Sequence, residues 1–143
     1  MLITKECDYA IRIVRALADG SKRTVRAISE EEKIPTKFAH NIATKLERAK
    51  YVKSYSGRTG GVRLLRPLNS FTLVDIIKAV DDNRCVSDCL SKNSNCTYMK
   101  KTGKDCAIHL ELARIQSVLH ETMSAKTMDV VLFDSIQPVE QAV

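Results

Sequence analysis

The sequence predicts a mainly α-helical fold with one small β-hairpin. Three observations carry this reading. Apolar residues recur every three to four positions over several separate stretches, which is the period of an amphipathic helix. Pro35 divides a short helical stretch from a longer one, because a proline cannot continue a helix. Two β-like runs then flank Gly57-Arg58-Thr59-Gly60-Gly61, a segment able to supply the positive φ angles of a hairpin tip. The 143 residues suffice for one compact domain with an appended oligomerisation element.

Residues 7–19 read as the first helix, with Ala10, Ile11, Val14, Leu17 and Ala18 on one stripe and Gly20 as its stop. Thr24 opens a helix of two turns that carries Val25 and Ile28 and ends near Glu32. A longer helix begins at Pro35 or Thr36, where proline is tolerated, and runs to Lys50. Phe38, Ile42, Leu46 and Ala49 share its expected buried face. Short helix, tight turn and longer helix form a helix-turn-helix. The hairpin of residues 51–56 and 62–65 makes it the winged variety, and Pro67 ends the wing. Residues 71–80 form a short amphipathic helix, with Leu73, Val74, Ile76, Ile77 and Val80 apolar and Asp75 in its first half, which suits the helix dipole.

Residues 81–105 differ in kind. They are polar, hold three cysteines and offer few core residues, so the expectation is a long loop. Such a loop needs something else to order it, and a metal site would do so. From Cys106 to Lys126 the helical period returns, with Ile108, Leu112, Ile115 and Leu119 close to a heptad seam. That seam favours pairing of two copies over packing back on the chain's own core. Residues 128–133 add a short helix, and residues 135–143 are expected to fray. The chain thus divides into a winged helix-turn-helix DNA-binding domain (1–82), a cysteine-rich sensor loop (83–105) and a long C-terminal dimerisation helix with its tail (106–143).

Charge is distributed unevenly. Residues 1–80 carry 16 Lys and Arg against 8 Asp and Glu, whereas residues 81–143 carry 7 against 9. A single-sign field over the first half suits a polyanion; the plainer alternative is a solvated basic face. The absence of Trp argues against binding single strands by aromatic stacking. No segment reaches the roughly 18–20 apolar residues of a membrane span, and the start has no signal-peptide pattern. A reducing cytoplasm is therefore expected for the cysteines, and no membrane partner. No phosphate loop, carboxylate pair or Ser/His/Asp set suggests an enzyme.

Residues near the start of a recognition helix meet base edges in the major groove. On the polar face these are Thr36, Lys37, His40 and Asn41. Lys45 and Arg48, further along, are placed for phosphates, and Arg58 at the wing tip for a minor groove. Cys85, Cys89, Cys96 and Cys106 are spaced C-x3-C-x6-C-x9-C, with His109 three residues on. This is neither a zinc-ribbon nor a ferredoxin spacing. It leaves metal ligation and thiol redox chemistry both open, and a helix N-terminus beside the last thiol favours thiolate in either case. Cys7 reads as a small core residue of the first helix.

With these motifs in place, the chain resembles the IscR/NsrR-type (Rrf2) family of winged-helix regulators. Leu2-Ile3-Thr4-Lys5 with Asp8-Tyr9-Ala10, the stretch from Ile28-Ser29 through Ile34-Pro35 to Leu46-Glu47-Arg48-Ala49, and the wing Gly60-Gly61-Val62-Arg63-Leu64 are similar to the family's pattern. So are Leu73, Asp75-Ile76-Ile77 and Ala79-Val80, and the cysteine loop before a long helix. The resemblance implies a homodimer on a double-stranded DNA operator. It also implies an iron-sulfur cluster, of the 2Fe-2S or 4Fe-4S type, held by Cys89, Cys96 and Cys106. The fourth ligand varies in the family; His109 or Asp8 of the partner subunit matches. Such a protein would be a repressor that senses redox state, nitric oxide or iron-sulfur supply. The chain departs from the family in its wider cysteine spacing, in the extra Cys85 and at the wing tip, which moves the expected contact to Arg58. Some members have no cluster, so a thiol redox regulator and a zinc-stabilised dimer stand as alternatives.

Overall fold

The computed structural model describes residues 3–81, 85–91 and 96–134. The expected frayed tail at 135–143, Leu2 of the family-like opening and most of the link from residue 81 to Cys85 lie outside them. The order of elements is α1 (Lys5–Ala16), α2 (Val25–Glu32), α3 (Thr36–Arg48), β1 (Val52–Tyr55), β2 (Gly61–Leu64), α4 (Leu73–Val80), α5 (Thr97–Thr102), α6 (Ala107–Ser124) and α7 (Met128–Phe133). Short 3-10 turns cover Leu68–Ser70 and Asp88–Leu90.

Local chemistry explains the boundaries. α1 starts two residues before the expected Cys7 because Thr4 is its N-cap: the Cys7 amide donates to the Thr4 hydroxyl at 3.4 Å. Thr24 caps α2 in the same way, receiving the Ala27 amide at 3.1 Å. Lys33 ends α2 in the left-handed region, at φ 55°, and the Ile34 amide returns to the Ser29 carbonyl at 3.0 Å. α3 closes likewise: Lys50 takes φ 62°, and the Tyr51 amide reaches the Leu46 carbonyl at 2.9 Å. At α4 the Asp75 carboxylate accepts from both the amide and the hydroxyl of Thr72, each at 2.9 Å.

β1 and β2 pair antiparallel, with Val52 opposite Leu64 and Tyr55 opposite Gly61. The α1–α2 connection supplies a further rung. Arg23 and Val62 exchange backbone hydrogen bonds of 2.9 and 2.7 Å. Gly61 is required there, because a Cβ at that position would lie 2.6 Å from the Arg23 carbonyl oxygen, and its φ is +149°.

The core gathers Ile13, Val14 and Leu17 of α1, Ile28 of α2, Ile42 and Leu46 of α3, Val52 and Val62 of the wing, Phe71, and Ile76 of α4. Met128 of α7 is buried in the same core, and its amide donates to the Phe71 carbonyl at 2.9 Å. The end of the described chain thus packs back onto the first half.

Two expectations need correction. Phe38 does not share the buried face of α3; it is 47% exposed, its ring edge-on to Tyr9 at 6.2 Å. The core row is Ala39, Ile42, Ala43 and Leu46. Phe38 outweighs Ala39 in hydropathy, so helical period alone favours a stripe one residue early, whereas the close packing of α3 on α1 and α2 wants the smaller side chain. The polar stretch 81–105 is also not one continuous loop, since it contains α5 and the turn at Asp88–Leu90.

Candidate nucleic-acid interface and cysteine loop

α3 is held from behind by α1 and α2. Arg15 of α1 pairs with the buried Glu32 at the end of α2. That hydrogen bond, and then the charge of Glu32, raise the Arg15 pKa above its ordinary value. Arg12 donates to the Glu32 carbonyl at 3.2 Å. The tight turn is pinned by Ser29, whose hydroxyl donates to the Ile34 carbonyl at 2.6 Å. The Ser29 and Thr36 hydroxyls also meet at 2.9 Å. The start of the recognition helix is therefore positioned by polar contacts as well as by its apolar face.

Of the residues expected to face DNA, Lys37, His40, Asn41 and Arg48 are exposed on α3, and Arg58 is exposed in the turn between the strands. Thr36 is exposed too, although its hydroxyl is engaged with Ser29. Lys45 is placed differently from the phosphate contact expected of it. Its ammonium turns inward, 2.6 Å from the Glu6 carboxylate and 2.9 Å from the Val80 carbonyl. The helical wheel showed a basic residue on the polar face; it did not show that α1 and α4 reach that flank of α3.

The wing is tied to α3 by Glu47. Its carboxylate accepts the Ser54 amide at 2.7 Å and the Ser54 hydroxyl at 2.8 Å. These bonds, the amide first, hold the Glu47 carboxyl below its usual pKa. Beside this anchor Lys22 and Lys53 each lie 5.5 Å from the centre of the exposed Tyr55 ring. Both are exposed cations on the wing side, and no sequence motif singles them out. Lys22 sits in the α1–α2 connection, beside the Arg23–Val62 rung that joins this connection to the wing.

The cysteine region is less gathered. All five cysteines are free thiols; Cys7 is buried, whereas Cys85, Cys89, Cys96 and Cys106 are half-buried. Cys89 lies in the 3-10 turn and receives the Ser87 hydroxyl at 3.4 Å. Cys96 and Cys106 stand at the N-cap positions of α5 and α6. The turn is fixed against α6 by the Val86 amide, which donates to Gln116 Oε1 at 2.8 Å. Among the described residues, no three His, Cys, Asp or Glu side chains converge as a metal site would need. One atom stands out: His109 Nδ1 is buried without a hydrogen-bond partner, which is costly for a polar group. Asp8, the other residue expected as a fourth ligand, is engaged by Arg12 at 2.9 Å.

A family model described as "Rrf2: Iron-dependent Transcriptional regulator" matches residues 3–134. The chain belongs to the Rrf2 family. An HTH-type transcriptional regulator of Haemophilus influenzae is 32% identical over 137 residues, spanning 90% of this chain and 87% of that protein. The fold is shared with CymR, the global cysteine regulator of B. subtilis, at a TM-score of 0.70 and 17% identity, covering 95% of this chain and 99% of that one. It is also shared with the IscR of T. potens, at 0.69 and 17%, covering 99% and 94%. This Rrf2 chain is therefore a DNA-binding transcriptional regulator and not an enzyme. Its helix-turn-helix and hairpin form the winged unit that the sequence predicted. Among the described residues, no helix is long and apolar enough to cross a membrane.

Proposed function

We propose that this Rrf2 regulator represses transcription from the cytoplasm as a homodimer on operator DNA. Lys37, His40 and Asn41 would read bases, while Arg48 and Arg58 would contact the backbone and minor groove. The observation that supports a base-reading role is the exposure of these side chains along one helix whose back is locked by Arg15, Arg12 and Ser29. Lys22 and Lys53 extend the phosphate-contacting surface on the wing side. Dimerisation would use α6. No residue of this 18-residue helix is buried, and Ile108, Ile115 and Val118 are exposed, with Ile108 at 71%.

We further propose that an iron-sulfur cluster sets the operator affinity, with Cys89, Cys96, Cys106 and His109 as its ligands. The donor chemistry fits: three free thiols and one buried, unpartnered imidazole nitrogen. His109 is favoured over Asp8 because Asp8 would first have to give up Arg12. When bound, the cluster would supply a centre sensitive to oxidants and nitric oxide. The residues themselves would orient α5 and α6, since Cys96 and Cys106 stand at the N-cap positions of those helices. The experiment is an anaerobic purification with a visible spectrum and iron and sulfide analysis. Coloured protein with stoichiometric iron and sulfide is expected, and His109→Ala should shift the spectrum. Colourless, iron-free protein overturns the reading.

That outcome would favour a second one, a cluster-free thiol regulator, which the lack of converging ligands among the described residues supports. An oxidant would then change DNA affinity, and a reductant restore it, without iron. Stoichiometric zinc with no response to oxidant would point instead to a structural metal.

A further inference from the structure

Lys45 lies at the crossing of three elements that the regulatory reading needs to connect. It projects from the last turn of the recognition helix α3. Its ammonium contacts Glu6, in the first turn of α1, and the carbonyl of Val80, the last residue of α4. A cation on that carbonyl is favourable, because the final carbonyls of a helix are unpaired and form the negative end of its dipole. The neighbouring residue, Asp81, is tied to the start of α1 as well. Its carboxylate accepts the Thr4 hydroxyl at 3.2 Å and lies 3.9 Å from the Cys7 thiol, which is fully buried. Val80 and Asp81 are also where the chain leaves the winged domain for the cysteine loop, whose first thiol is Cys85.

We propose that Lys45 is a positioning residue that transmits the state of the cysteine loop to the recognition helix. Its side chain is 32% exposed and two of its three donors are taken by Glu6 and Val80, which holds the ammonium away from the open polar face in this arrangement. A loop rearrangement pulls on Val80 and Asp81. The Lys45 contacts then either carry α3 along or break, and in both cases the base-reading face changes its angle to the wing. Coupling of this kind requires contacts that differ between two states, and a partly buried ion pair with a backbone leg offers such a contact. The proposal rests on the DNA-binding reading. It does not depend on which chemistry acts at the loop.

The test uses the full chain and a DNA duplex enriched by the wild-type protein from a randomised library. The loop is perturbed without any metal, by alkylating its half-buried thiols with N-ethylmaleimide while Cys7 stays buried. The readout is the ratio of the dissociation constants for alkylated and reduced protein, measured by fluorescence anisotropy. In the wild type a ratio of about tenfold is expected, an ordinary size for coupling between sites. In Lys45→Met it should collapse to about one, and Lys45→Arg should restore part of it. A merely structural role would weaken both states by the same factor and leave the ratio intact. Should Lys45→Met not fold, Glu6→Gln removes the facing charge and is expected to lower the ratio likewise. A wild-type ratio near one, or a variant that keeps the wild-type ratio, overturns the proposal. Failure of the DNA-binding reading would show itself differently, as no enriched duplex at all, and would take the proposal with it. Absence of an iron-sulfur cluster would leave the test unaffected.

Discussion

The winged domain and the cysteine region solve the problem of stability in opposite ways. In α1–α4 and the wing, caps, ion pairs and a shared apolar core account for the local structure, from the Thr4 and Thr24 caps to the Arg15–Glu32 pair. In α5 and α6 no residue is buried, the four thiols before and between them stand half-exposed, and a buried imidazole nitrogen of α6 goes without a partner. The difference teaches that the first region is complete within one chain. The second leaves exposed the helix face and the thiols that the proposed dimer and cluster would engage.

Core truncation tests this contrast with the largest effect. Leu46→Ala removes a fully buried side chain and should cost about 2–5 kcal/mol. Ile115→Ala on α6 should cost much less in a monomer. Urea unfolding of both variants checks the pair; equal losses would mean that α6 shares the core. Ile115→Glu sharpens the point. It should dissociate the dimer in sedimentation while leaving the unfolding of the winged domain near that of the wild type. A dimer that survives would place the partner surface elsewhere.

Gly61→Ala is expected to cost about 1–3 kcal/mol, because a left-handed φ and a backbone clash coincide there. Amide exchange should rise at Val62, whose amide donates to Arg23. The smallest effect concerns Glu47. Its carboxyl is depressed from an ordinary value of 4.5, so its contribution is complete above that value and is lost as pH falls through the lowered pKa. Exchange at the Ser54 amide should accelerate only under those acidic conditions, and Glu47→Gln should remove most of the pH dependence.

Much of the DNA-binding half was legible in the sequence. Thr24, Pro35 and the glycines of the turn announce where helices and strands begin and end, because capping and turn preferences act within a few residues. The exposed row of Lys37, His40, Asn41 and Arg48 follows from helical period alone. The cysteine spacing drew attention to the loop, and His109 was visible as a residue of interest. That its Nδ1 is buried without a partner was not, since the burial of one atom depends on what packs around α6.

Sequence by itself determined the order and type of most elements, the basic character of the first half and the set of thiols available for chemistry. These properties belong to residue type and short-range spacing. Tertiary structure alone decided that Ala39 and not Phe38 faces the core, that Arg23 joins the wing, and that Met128 returns to the core of the first half. It also decided that Lys45 turns away from the polar face of α3 to meet Glu6 and Val80. Each of these is a contact between residues far apart in the chain, and a periodic pattern within one helix carries no record of its neighbours.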